Sequence, residues 1–263
     1  MVLPVHDVNP TRRTPVVTYL LIAVNVVAFL LSPVSHHIVG ESPFATQCRQ
    51  IVFFDKYAAE PKEVLSNKPT PLHRTVLTDG QQTFSCPVPR PFHKTPFLSV
   101  LTAMFLHGGW LHLLGNMLFL FVFGNNVEDR LGRLRFLGFY LVCGYAATYG
   151  FSLFQGDSTE PLVGASGAIA GVLGGYIVLF PRAKVITVIF IVFFFTILEL
   201  PAMLVLGIWF LEQALFAARG IGSSGGGVAY FAHVGGFVFG LLAVRALANR
   251  KRVGRQNERV MVR

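Results

Sequence analysis

Between Val16 and Leu247 the chain runs through long apolar stretches that Asp, Glu, Lys and Arg hardly enter. Only 13% of its 263 residues are charged and 53% are hydrophobic, against a usual charged share of roughly 25%. That balance is read as an all-α membrane protein crossing the bilayer several times. The formal net charge of +9 then marks cytoplasmic loops rather than a nucleic-acid surface, and no nucleic-acid partner is expected. Cys48, Cys86 and Cys143 are too few for a disulfide scaffold, and no CxxC or CxxH spacing reads as a metal site; no metal or cofactor is expected. Arg12 and Arg13 precede a long apolar run, as in a retained signal anchor rather than a cleaved signal.

Six spans are expected. The first covers Val16–Leu31, with Asn25 as its strongly polar interior side chain. Residues 1–15 form a cytoplasmic segment before it. From about 36 to 95 the chain is polar and rich in Pro, Lys and Thr, too long for a bare loop and therefore expected to fold on or partly into the membrane surface. The second span is expected from about Phe97 or Leu101 to Phe123, the third over Phe136–Phe154 and the fourth from Gly164 to Phe180. Val185–Ala218 is longer than the roughly 20 residues one span needs. Glu199 and Pro201 divide it into an interfacial or re-entrant stretch, Val185–Leu198, and a fifth span with Pro at its first turn. A Gly-rich linker, Gly220–Gly227, leads to a sixth span, Val228–Leu247, and a basic tail, 248–263. Six spans put Arg12/Arg13, Arg130/Arg133/Arg135, Arg182/Lys184 and the tail on one side, so both termini should be cytoplasmic and the first loop external.

Polar groups inside a membrane are costly and mark candidate sites. Gly164-Ala165-Ser166-Gly167 carries a serine whose flanking glycines leave its hydroxyl uncovered. His112 and Asn116 lie one turn apart on one face of the second span, aiming two donors at one spot; His107, nearer the outer end, is read as orienting the loop. His233 shares a face with Gly236 and Gly240. The fourth span offers a matching surface, Gly167, Gly171 and Gly175, beside Ser166, Ala170 and Gly174, so close packing would bring the His233 imidazole to the Ser166 hydroxyl. Small-residue packing and interhelical hydrogen bonds are the plainer alternatives for these features.

With these stretches assembled, the chain resembles the rhomboid family of intramembrane serine proteases. The matching segments are His107–Asn116, Asn126–Gly132, Gly164–Gly171 and Ala232–Phe237, covering about Leu98–Leu247. The resemblance implies a six-helix rhomboid bundle over 16–247, with Ser166 as nucleophile and His233 as general base of a dyad. It implies His112 and Asn116 as side-chain donors of an oxyanion hole, completed by backbone amides near Ser166. Two departures stand out: Leu98-Ser99 replaces a Trp-Arg pair that many members carry, and Ala170 replaces an aromatic that in some packs on the histidine ring. Another side chain must then support that ring.

The expected activity is endoproteolysis of single-span membrane proteins near the outer face, with membrane lipids as the other partner and a bacterial cell membrane as the location. The alternative is a rhomboid-type binding or quality-control protein without proteolysis, against which the presence of both Ser166 and His233 argues. A transporter would want acidic residues and an internal repeat, and Gly164-x-Ser166-x-Ala168 is not the G-x-S-x-G of an α/β-hydrolase. Cys48 and Cys86, both placed outside by this topology, could form a disulfide closing a loop of about 38 residues.

Overall fold

The computed structural model describes residues 2–36, 38, 40–70, 76–79, 82–86, 92–191, 194–219 and 229–248. In chain order these form β1 (Val2–Asp7), α1 (Val16–Leu31), α2 (Pro43–Tyr57), α3 (Pro61–Ser66), β2 (Val76–Asp79), β3 (Gln82–Ser85), α4 (Pro96–Ala103) and α5 (Trp110–Phe119). A π-helical turn, Leu120–Gly124, joins α5 to α6 (Asn125–Leu131). Then come α7 (Arg133–Phe154), α8 (Ser166–Leu179), β4 (Lys184–Ile191), β5 (Phe194–Pro201), α9 (Ala202–Arg219) and α10 (Tyr230–Leu247). Among the described residues four helical stretches are long and apolar enough to cross a membrane: Trp110–Leu131, α7, α9 and α10. Two shorter apolar helices, α1 and α8, accompany them. At 14 residues, α8 reaches only about 21 Å of a hydrocarbon core roughly 30 Å thick.

Two expectations need correction. The second span does not run on from Phe97: α4 ends at Ala103, and the helix restarts at Trp110 after Gly108-Gly109. The second concerns the form of Val185–Leu198, expected as an interfacial or re-entrant stretch with no strand foreseen. It pairs as the antiparallel hairpin β4–β5, from Lys184 opposite Pro201 to Ile191 opposite Phe194. Its run of Val, Ile, Thr and Phe suits a pleated strand better than a helix. β1 pairs with β4, with Asp7 opposite Val185, so the segment before α1 completes a sheet in the order β1-β4-β5.

Asp7 anchors this end of the molecule. Its Oδ2 accepts hydrogen bonds from Asn126 Nδ2 (2.5 Å) and the Tyr176 hydroxyl (2.6 Å), joining β1 to α6 and α8. Burial pushes the Asp7 carboxyl above its ordinary value, against the pull of the Tyr176 hydroxyl and the Asn9 amide. Nearby, the buried Glu128 carboxylate caps α1. Its Oε1 accepts from the Val17 amide (3.0 Å), and its Oε2 from the amide (2.7 Å) and hydroxyl (2.8 Å) of Thr18. A carboxylate there satisfies first-turn amides and meets the positive end of the helix dipole. Part of the Asn126–Gly132 motif is thus a clamp on the N-terminal elements.

At the opposite end the first loop is a folded layer. Cys48 of α2 is joined to Cys86 by a disulfide, which on the chain-entropy model stabilises a loop of this length by about 4 kcal/mol. Lys94, its side chain buried, pairs with Glu60 (3.1 Å) and Glu63 (2.6 Å). Burial, reinforced by Glu60, also pushes the neighbouring Asp55 carboxyl up.

α8 sits in the middle, between α7 and α10 and against α9. Glycine makes this possible. A methyl group on Gly171 would run into the Cys143 side chain of α7; on Gly236 or Gly240, into the Gly167 or Gly171 carbonyl oxygen; on Gly174, into that of Phe237. The α8 and α10 backbones therefore lie closer than any larger residue would allow.

Candidate active site

The serine turn is fixed from two sides. Ala59 and Leu162 exchange backbone hydrogen bonds (3.3 and 2.7 Å), tying the first loop to the α7–α8 connection, and the Gly164 amide donates to the Ala103 carbonyl (2.9 Å). Gly164 has φ +124°, which L side chains rarely adopt. A Cβ there would also stand 2.7 Å from His112 Nε2. Both constraints demand glycine two residues before the serine. Ser166 then opens α8. The helical ladder starts with the Ile169 amide bonded to the Ala165 carbonyl (2.9 Å), leaving the amides of residues 166–168 above it at the positive end of the dipole.

The close packing of α8 and α10 delivers His233 to this turn. Its Nε2 lies 2.8 Å from Ser166 Oγ, with His233 buried and Ser166 half-buried. On its far side the ring meets α9: Nδ1 is 2.7 Å from Oε1 of the buried Gln213. The Trp209 ring lies 6.0 Å away, tilted by 31°, and the Tyr230 ring stands edge-on at 6.3 Å. Ala170 leaves the ring without an aromatic neighbour on α8; Trp209 supplies one from α9.

His112 and Asn116 lie one turn apart on α5, and His112 meets the serine turn at Gly164. The Gly108 amide donates to His112 Nδ1 (3.4 Å), so the ring proton sits on Nε2, the nitrogen against Gly164. Asn116 is buried, and its Nδ2 has no hydrogen-bond partner among the described residues. Both nitrogens of the buried His107 are likewise without one, and its ring stands edge-on to His112 at 5.1 Å. His112 thus borders the serine turn through Gly164, and Asn116 carries an unpaired amide donor one turn further along α5.

The structure brings Ser166, His233 and His112 together, with Asn116 one turn below His112. Sequence reading passed over Gln213 and Trp209. Their signal was present: a Gln within an apolar span, one turn after a Trp on the same face.

Comparison with known proteins agrees in outline. A family model described as the Rhomboid domain matches residues 94–250. The chain is 34% identical over 157 residues to rhomboid protein 1, mitochondrial, of Saccharomyces cerevisiae, covering 57% of this chain and 42% of that one. It is 32% identical over 167 residues to RHOMBOID-like protein 4 of Arabidopsis thaliana, 61% of this chain and 36% of that one. Identity to presenilin-associated rhomboid-like protein A, mitochondrial, of Danio rerio is 33% over 96 residues, 36% of this chain and 25% of that one. The chain thus spans less than half the length of each of these relatives. The apolar helices support an integral membrane protein; two of these three relatives are named as mitochondrial, so the expected bacterial cell membrane draws no support from them.

Proposed function

Because this chain belongs to the rhomboid family, we propose that it is an intramembrane serine endopeptidase working through a Ser166/His233 dyad. The observation that carries this reading is the 2.8 Å contact between Ser166 Oγ and His233 Nε2. His233 takes the hydroxyl proton as Ser166 attacks a peptide carbonyl. It returns that proton to the leaving amine, and water then releases the acyl group by the same route. The oxyanion formed twice on this path is held by His112 Nε2–H, Asn116 Nδ2–H and the amides opening α8. The rhomboid membrane domain is taken as 16–247, flanked by 1–15 and 248–263.

We take α1 and α8 to cross the membrane as well, giving six crossings. Two features support that arrangement. β1, before α1, pairs with β4, after α8, so both must lie on one side. The first loop and the α7–α8 connection pair on the other, next to Ser166. The side carrying Arg12, Arg13, Arg133, Arg135, Arg182 and Lys184 is the cytoplasmic one by the positive-inside rule. Substrates are then single-span proteins whose helices unwind near the opposite face.

The test uses the full-length protein in proteoliposomes with a fluorophosphonate probe and a single-span reporter. Labelling at Ser166 and cleavage of the reporter are expected; a protein that neither labels nor cleaves overturns the reading in favour of a non-proteolytic family member. The oxyanion donors have their own signature. His112→Ala or Asn116→Ala should lower kcat and kcat/KM together, by roughly 2.7–4 kcal/mol of barrier, with KM nearly unchanged. If the two residues only bond helices together, each variant instead melts earlier while its folded fraction cleaves at the parental rate.

A further inference from the structure

A buried amide on an apolar helix needs a partner, because leaving its carbonyl unpaired costs about 1–3 kcal/mol. Gln213 of α9 is buried, and the partner its Oε1 meets is the His233 ring at 2.7 Å. That oxygen can only accept, so Nδ1 must carry the ring proton. The other nitrogen, Nε2, is then unprotonated toward Ser166 Oγ, 2.8 Å away. A ring in the opposite tautomer would present N–H to the hydroxyl and could not take its proton.

We propose that Gln213 is a positioning residue of the catalytic centre: its carbonyl holds the His233 ring in the tautomer and orientation that make it a base, completing a Ser166–His233–Gln213 relay. The inference rests on the reading of Ser166 and His233 given above. It also accounts for a dyad without a carboxylate. Gln213 orients the ring as an aspartate would, yet brings no charge to hold an imidazolium. Trp209, one turn earlier on the same helix, covers the ring at 6.0 Å, so α9 carries both supports.

The groups facing His233 are few. Ser166 comes from α8 and Gln213 with Trp209 from α9. Tyr230 faces it from α10 itself, and the titratable side chain on the other side of the serine turn is His112 of α5, against Gly164. Glu212, next in sequence to Gln213, is exposed. A carboxylate placed at 213 would therefore be the nearest negative charge to the ring among the described residues.

Two variants test this in proteoliposomes, read by fluorophosphonate labelling rate and reporter kinetics from pH 5 to 9. Gln213→Leu keeps the bulk and loses the acceptor. Since general-base catalysis is worth roughly 10²–10⁴-fold, it should lower kcat and the labelling rate about 10–100-fold with KM within about twofold. Gln213→Glu keeps the acceptor and adds charge. It should recover most of the rate lost in Gln213→Leu, and its acid limb should move to higher pH by about one unit or more, because a neighbouring carboxylate favours the imidazolium. A Gln213→Leu protein with parental kcat, or a Gln213→Glu protein with the parental acid limb, overturns the assignment while the parent remains active. A parent that neither labels nor cleaves overturns the dyad reading as well, and the two failures are thereby told apart.

Discussion

Ser166→Ala and His233→Ala are each expected to abolish cleavage of a single-span reporter, and the double variant to be no worse than either. Their 2.8 Å contact means that neither works without the other: the hydroxyl is a weak nucleophile until its proton can leave, and the imidazole is a base with one proton to take. Groups acting as one unit are non-additive, and removing either member of such a pair costs on the order of 10⁶ in kcat. Ser166→Ala should hardly change stability, since the one neutral hydrogen bond it loses is worth about 1 kcal/mol, whereas His233→Ala also leaves the buried Gln213 carbonyl unpaired and should cost about 1–3 kcal/mol more. The measurement is a gel assay over several days, beside melting curves in detergent. Cleavage above about one part in a thousand in either folded single variant would falsify the dyad, since that remainder exceeds what binding and oxyanion donors alone supply.

The second large effect belongs to packing. In Gly240→Ala the new methyl meets the carbonyl oxygen, carbonyl carbon and Cα of Gly171. Those are backbone atoms of a helix clamped on its other side by Cys143, so no side chain can swing away. Overpacking costs about 1–3 kcal/mol where side chains can adjust, and here the upper end or more is expected. For a chain of this size that lowers the melting temperature by roughly 6–12 °C. Spreading α8 from α10 also lengthens the serine–histidine contact, so the folded fraction should lose activity too. Gly235→Ala is the control. It lies on the same helix with nothing within 4 Å of the added methyl, and alanine is the better helix former. If the two variants melt together, close backbone packing does not hold α8 and α10.

The register of small residues was readable in sequence because it is a strict interval of four. Gly236 and Gly240 against Gly167 and Gly171 leave few ways to seat the helices, and the neighbourhood of Ser166 and His233 follows from that. The bounds of α1, α8, α9 and α10 were readable within a few residues, since Pro, Gly and charge punctuate long apolar runs. The β4–β5 hairpin was not. Apolar on both faces, it lacks the alternation that marks a half-buried strand, and only its content of Val, Ile, Phe and Thr hinted at pleating. β1 was hidden for another reason: Pro4 interrupts it, and the strand it pairs with lies far along the chain. The restart of the second span at Trp110 was signalled by Gly108-Gly109, yet hydropathy runs across that break unchanged. Gln213 was missed because reading favoured polar residues in clusters, whereas its partner is on a different helix.

The clamp on the N-terminal elements also sets an order of events in time. The cap for α1 is Glu128, 111 residues downstream of Val17, and the hydroxyl that holds Asp7 belongs to Tyr176, 169 residues later. At about 5–20 residues per second a ribosome needs roughly ten to thirty seconds to supply that tyrosine. Until Glu128 is made the first amides of α1 stay uncapped, and through the whole interval β1 has no strand to join. The first residues made are therefore among the last to be fastened, and a nascent chain halted before β4 should expose Val2–Asp7 to protease while the same segment in the finished protein resists.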